Sequence, residues 1–537
     1  MVYYSNRANG FARWDIRHFS RQRRYVMRPS LSNSSPTIGL TPVLFPLRQA
    51  VVACVCIVIF SLVGIVTVFQ PLAGIGLLAA AGLVWVALRI VPRPITGLHV
   101  ILWVFPSFQI VTCLFYTYYP GLPLIGSRFW LELLLGLMAM GVALRHILRR
   151  DRTQLLYADL PVLLLVLSGA YGLTITLTNV SYVSAIFGLS YSLTPILCYF
   201  VLRWTQPTSR DLSGVFRVFL FTFVILAILS FLEYFTHPAF MLPVYLTVRH
   251  AFFKGLDTNG VLTAMTTYYM RMESLLLEED FWGALCSLVS LLCMARIATG
   301  KAGRLVFVAF ILALLGLIYS MSRGATIGWF AGMMVLVAVH QGRRLRVLMI
   351  IGALTVAATA AYLIVATDAR IVQMEQRIVQ SATSDKGFDQ GRHTQFAQAN
   401  DTFQRFPSGI GVGASGFAAL YTHIGAPIVT DGMYYHIAVE QGVPGLIAWG
   451  LALPGMAVVL LLRLRMTTDP LLRSWGSGLL AVLGSFVVHC IAANVLDYYY
   501  VPDMFFIFFG LFMAGTDSPH AVRGPTRLLP AKSKARP

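Results

Sequence analysis

The sequence predicts an all-α, polytopic integral membrane helix bundle of about fourteen transmembrane helices, carrying a helical loop domain on its outer side. Three observations predict it. Of 537 residues 57% are hydrophobic and only 12% are charged, whereas a soluble domain carries roughly a quarter charged residues. The apolar residues come in blocks about 20 long, the length that crosses a bilayer. Lys and Arg collect on alternate loops, as the positive-inside rule requires.

The elements run in order. Residues 1–48 form a basic arm without an apolar core beside a small-residue cleavage site, so they read as a cytoplasmic segment rather than a cleaved signal. Spans fall at 49–69, 72–90, 98–117, 127–145, 158–176, 184–203 and 216–236, a first bundle over 49–236. The region 237–367 holds a first outer loop, 237–280, and then spans at 281–298, 303–321, 325–341 and 346–367. The large outer loop is 368–442. Spans at 443–463, 474–494 and 500–516 close the bundle over 443–516, and 517–537 is a Pro-, Lys- and Arg-containing tail. With this count, 31 of the 41 Lys and Arg lie on the side of the two termini, which places both termini in the cytoplasm. The formal net charge of +19 then needs no nucleic acid partner. All seven cysteines fall within spans and none has metal-ligand spacing, so they read as small apolar packing residues.

The two long outer segments break the pattern of short loops, and long loops in compact chains are usually functional. In the larger one, 369–382 and 392–406 have helical apolar spacing, with Phe396, Ala399, Phe403 and Phe406 on one face of the second. The run 407–417 follows, with Gly409, Gly411 and Gly413 allowing tight turns and close approach to a ligand. It lacks the GK[ST] ending of a phosphate-binding P-loop.

Outward charge is scarce, so each instance is informative. Arg271, Arg323 and Arg392 sit at the outer face, and guanidinium forks suit bidentate phosphate binding. The plainer alternatives are a snorkelling anchor for Arg323, a salt bridge to a neighbouring acid for Arg271 and a helix-start surface residue for Arg392. Candidate general bases on this face are Asp431, His423 and His436, with His393 and Glu273 behind them. Glu440 stands at the start of a span, where a buried, hydrogen-bonded carboxylate is the structural alternative.

The order SRGA, GR, P-x-G-x-G-x-G, D-G-x-Y and E-x-G-x-x-G resembles the O-antigen ligase/polymerase family of bacterial inner-membrane glycosyltransferases. It is carried by Arg323 and Gly324, Gly391 and Arg392, Pro407 with Gly409, Gly411 and Gly413, Asp431 and Tyr434, and Glu440, Gly442 and Gly445, over residues 260–450. The resemblance implies a periplasmic loop domain, an undecaprenyl-diphosphate-linked glycan donor, a glycan acceptor, and no metal or other cofactor. It implies that Arg323, Arg271 and Arg392 hold the diphosphate, and it brings in a chain-length regulator and a flippase as candidate partners. Ligases of the family carry H-N-x-Y-L; here Asp431 and Gly432 occupy the H-N positions and His436 lies five residues on. Polymerase-like members often have Asp at that place, so the resemblance favours a polymerase of lipid-linked repeat units. A ligase transferring finished glycan to lipid A–core is the alternative. A polysaccharide transporter or flippase is the second alternative, opposed by the small number of ionisable residues within the spans, chiefly Glu132, Glu233 and His489.

Overall fold

The computed structural model of the chain describes residues 90–91, 93–103, 130–149, 157–237, 272, 279–300, 302–340, 388–416, 419, 432–495 and 500–517. The arm 1–48, the spans expected at 49–69, 72–90 and 346–367, most of the one at 98–117 and the helix expected at 369–382 lie outside these residues.

Every regular element among the described residues is helical. In chain order they are α1 (Pro94–Trp103), α2 (Trp130–Arg149), α3 (Leu160–Asn179), α4 (Tyr182–Gly188), α5 (Thr194–Arg203), α6 (Ser209–Thr236), α7 (Glu279–Ala298), α8 (Arg304–Ser320), α9 (Arg323–Val339), α10 (Phe388–Arg405), α11 (Met433–Met466), α12 (Pro470–Ala492) and α13 (Val501–Thr516). Among the described residues, six helices are long and apolar enough to cross a membrane: Tyr157–Asn179, Ser184–Arg203, Ser209–Thr236, Asp280–Ala298, Met433–Met466 and Pro470–Ile491. By length and composition the chain is a multi-pass membrane protein.

Local chemistry sets the helix ends. Thr208 and Asp211 form a reciprocal capping box at the start of α6, Thr208 N–H donating to Asp211 and Asp211 N–H to Thr208. At α12 the Asp469 carboxylate accepts the Leu471 N–H at 2.7 Å, and Pro470 takes the first helical position. Between α4 and α5, Pro195 lacks the N–H that would continue the ladder. The preceding turn, Leu189–Leu193, widens to π geometry, and the Thr194 N–H reaches back to the Leu189 carbonyl.

Helix α13 is the apolar centre: its sixteen residues are all buried. Phe508 packs edge-on against Phe219 of α6 and Trp475 of α12, and Phe509 lies 4.9 Å from Tyr199 of α5. Glycine permits the closest crossing of α9 and α12. A Cβ on Gly332 would come within 2.7 Å of the Ala481 carbonyl oxygen, and one on Gly328 within 2.7 Å of that of Ser485. Small residues four apart let two backbones approach where burial of apolar surface gives little drive between helices. Gly332→Ala should therefore destabilise the bundle by about 1–3 kcal/mol. Gly450→Ala, where a Cβ would meet nothing within 4 Å, should not. Melting of the purified variants in detergent compares the two.

The helix holding the span expected at 443–463 starts at Met433, inside the segment taken from sequence as outer loop. It bends at Gly442, whose φ of 63° and ψ of −156° are non-helical. The opposite end of the bundle is tied by charge. Arg203 of α5 meets Asp159 at 3.2 Å and also Asp517, which in turn meets Arg463 of α11. The Tyr199 hydroxyl donates to Asp159 at 2.5 Å.

Candidate functional site

The SRG segment is a tight turn between two helices. Met321 adopts a left-handed conformation after α8, and the Ser322 hydroxyl caps α9 by accepting the Ala325 N–H. Gly283 of α7 gives the turn its seat, since a Cβ there would lie 2.8 Å from Ser320 Oγ. Arg323 is the first residue of α9 and is exposed. A cation in the first turn opposes the helix dipole, so helix stability does not account for it. Guanidinium and helix start together make this tip cationic. Met272, which follows Arg271 in sequence, is buried and donates its N–H to the Tyr319 carbonyl at 3.0 Å, four residues before Arg323. Arg271 itself lies outside the described residues.

The glycine-rich run and the bend of α11 are one construction. Pro444 has no N–H for the Glu440 carbonyl, and the Val443 N–H turns away to the Pro407 carbonyl at 2.9 Å. Two helix carbonyls, those of Val439 and Glu440, are thereby released, and the Ile410 and Gly411 N–H groups bind them, each at 2.9 Å. A Cβ on Gly442 would run into the Pro407 carbonyl oxygen, and one on Gly411 into Thr176. The close approach foreseen for these glycines is thus made, within the described residues, to the chain's own backbone. On the other side of the run, the Val412 N–H donates to Gly172 of α3, and Thr176 Oγ1 donates to the Val412 carbonyl at 2.7 Å.

Glu440 is 1% exposed. Its Oε1 accepts the Gly413 N–H at 2.9 Å and the Ser415 N–H and hydroxyl, each at 3.1 Å. Its Oε2 lies 3.1 Å from His436 Nε2, one helical turn away, and His436 Nδ1 lies 3.0 Å from Ser415 Oγ. The buried, hydrogen-bonded alternative for Glu440 is the one observed. His436 is 6% exposed, with both ring nitrogens beside these partners.

Gly409, Gly411, Gly413, His436 and Glu440 are therefore brought into one cluster. Tyr434, two residues before His436 on α11, donates its hydroxyl to the Val487 carbonyl of α12 at 3.0 Å. Helix α10 is seated on the same helix start, with Phe396 stacked on Tyr435 at 4.7 Å. Of its expected apolar face, Ala399 is buried, Phe396 and Phe403 are half-buried and Phe406 is exposed. Arg323 stands at the same end of the bundle, because Gly328 of α9 abuts Ser485 and His489 of α12, close in sequence to Val487. The backbone of Arg392 lies in α10; its side chain, His423 and Asp431 lie outside what is described. Sequence reading missed Ser415. Its only signal was a small hydroxyl residue inside a glycine run that precedes a membrane-depth carboxylate.

Residues 308–450 match the family model described as O-antigen ligase. The match takes in most of α8, all of α9 and α10, the glycine run and the bend of α11. No curated protein matches the chain.

Proposed function

We propose that this chain, which carries an O-antigen ligase-family domain over residues 308–450, is a polymerase that joins undecaprenyl-diphosphate-linked oligosaccharide repeat units on the periplasmic face of a bacterial inner membrane. The observation that carries the reading is Arg323, exposed at a cationic helix start inside the family domain and at the end of the bundle where the glycine run lies.

The chemistry follows from an activated donor. An acceptor sugar hydroxyl attacks the anomeric carbon, a new glycosidic C–O bond forms and the C–O bond to the lipid diphosphate breaks. The hydroxyl proton passes to a base, for which Asp431 is the first candidate and His423 and His436 the others. The diphosphate leaves carrying the electron pair, and Arg323, with Arg271 and Arg392, stabilises its charge. Fourteen spans with both termini cytoplasmic put this loop face in the periplasm, as the 31 of 41 basic residues on the side of the termini support. A chain-length regulator and a flippase are the partners such a polymerase would work beside.

A ligase is the second reading, favoured by the matched family's description. The polymerase is preferred because Asp431 and Gly432 stand where the ligase pattern has His-Asn. The test uses purified protein in nanodiscs with the lipid-diphosphate-linked repeat unit alone. A ladder of longer lipid-linked glycans is the expected product. Transfer only after lipid A–core is supplied would make the protein a ligase. Inactivity of folded protein in both assays would sink both readings.

A further inference from the structure

Glu440 is buried at the point where the glycine run meets α11. It lies on α11 two residues before the bend, and its side chain takes two backbone N–H groups from the glycine run. Through Ser415 and His436 it also joins the end of that run to the first turn of α11. These two points are 21 residues apart in sequence and are held at 3.0 Å.

We propose that Ser415, His436 and Glu440 form a buried catch, in which Glu440 is a positioning residue for the glycosyl transfer. It sets the glycine run and the start of α11 at a fixed separation. This rests on the polymerase reading and deepens it. It assigns His436 to positioning rather than to proton transfer.

The geometry carries this in three ways. The three side chains stand in mutual contact: Ser415 Oγ lies 3.1 Å from Glu440 Oε1 and 3.0 Å from His436 Nδ1, and His436 Nε2 lies 3.1 Å from Glu440 Oε2. A carboxylate accepting backbone N–H groups in a buried place makes bonds about twice as strong as neutral ones, so few other side chains could substitute. The side chain of Glu440 also reinforces what its carbonyl already does. The carbonyl takes Gly411 N–H while the carboxylate takes Gly413 and Ser415 N–H, so one residue binds three amides of the run. Gly432, which opens α11 and whose carbonyl accepts the His436 N–H, directly follows Asp431 in sequence. A shift of this helix start is therefore a shift of the backbone next to the first candidate base. Misplacement of a reacting group by about 1 Å can cost on the order of a hundredfold in rate.

The experiment compares Glu440→Ala, Glu440→Gln, Ser415→Ala and His436→Gln in the full chain. It uses two readouts, turnover of the lipid-diphosphate-linked repeat unit and hydrogen exchange at the Gly413 and Ser415 amides. Glu440→Ala is expected to lower kcat roughly 10- to 100-fold, the range given by loss of a hydrogen bond to a charged group, with KM for the donor changed less than about threefold. The same variant should speed exchange at both amides and leave exchange along α3 and α12 as in the parent. Glu440→Gln keeps an oxygen where Oε1 stands and should restore most of both. Ser415→Ala combined with His436→Gln should be no worse than the poorer single variant, because either change opens the same catch. Loss of activity in His436→Gln, with full turnover in Ser415→Ala and Glu440→Ala, would make His436 a reacting group and overturn the proposal. Faster exchange in Glu440→Ala with unchanged kcat would overturn it too. A parent protein that protects these amides but makes no product would remove the polymerase reading and leave the catch in place as a structural device.

Discussion

Replacing Arg323 by alanine should abolish chain growth while leaving the protein inserted and folded. The cause lies in what this side chain does and does not support. It is exposed at the first position of α9, where a cation opposes the helix dipole by roughly 0.3–1 kcal/mol. Removing it relieves that opposition to the dipole, and the melting midpoint separates lost activity from lost fold. The Ser322 cap, which fixes the start of the helix, is untouched. On the proposed reading, what is lost is a fork-shaped cation at the diphosphate, and removal of one preorganised donor from a developing negative charge typically costs 10²–10³ in turnover. Arg323→Lys keeps the charge but not the bidentate fork and should fall between the two. The size ladder of products gives the activity, and melting in detergent gives the fold. Parent-length chains from Arg323→Ala would sink the assignment.

The apolar helices among the described residues were legible because hydropathy blocks are local. Their ends were less so: α6 starts at Ser209 rather than 216 and α12 at Pro470 rather than 474, where Thr208 with Asp211 and Asp469 with Pro470 cap them. The start of α11 was not legible, for a physical reason. Its first turns contain His436, Glu440 and Gln441, whose polarity ends a hydropathy block. The polar groups are instead satisfied from outside the helix, Gln441 by the Ser168 hydroxyl and Glu440 by the glycine run. The run from Gly442 to Pro444 signals a bend in any helix. Its partner is the Pro407–Gly411 backbone, and Pro407 precedes Val443 by 36 residues. No periodicity encodes such a pairing. The role of Glu440 was legible as an alternative, since an unpaired carboxylate at that depth is costly. Ser415 was not, because nothing local distinguishes a catching serine from a turn serine. Arg203 shows the converse. Counted by sequence among loop charges, it is buried at 8% exposure, because Asp159, just before α3, and Asp517, just after α13, meet it.

Arg203→Ala should therefore be the most destabilising substitution at the end of the bundle opposite the glycine run. The guanidinium bridges Asp159, which is 1% exposed, and Asp517, the residue that follows the central helix α13. Its removal takes from the buried Asp159 the guanidinium that faces it at 3.2 Å while the Tyr199 hydroxyl stays, and breaking a buried pair from one side costs about 3–5 kcal/mol. Arg463→Ala should cost less, because Asp517 keeps Arg203 and the Arg463 side chain is more open to solvent, at 19% against 8%. The decisive comparison is the double variant. Arg203→Met with Asp159→Asn removes both charges and keeps much of the volume, and a buried ion pair replaced by neutral groups is often nearly neutral in stability. The double variant should thus recover much of what Arg203→Ala loses, as read by melting midpoint in detergent. If Arg203→Ala melts with the parent, these charges are solvated and the tie between α5, α11 and the end of α13 contributes nothing. If it melts early and the double variant does not recover, the loss comes from packing of the long Arg203 side chain rather than from the stranded carboxylate. The expected recovery would show that what holds this end together is mutual neutralisation of charges drawn from three parts of the chain, Asp159 before α3, Arg203 and Arg463 in α5 and α11, and Asp517 after α13.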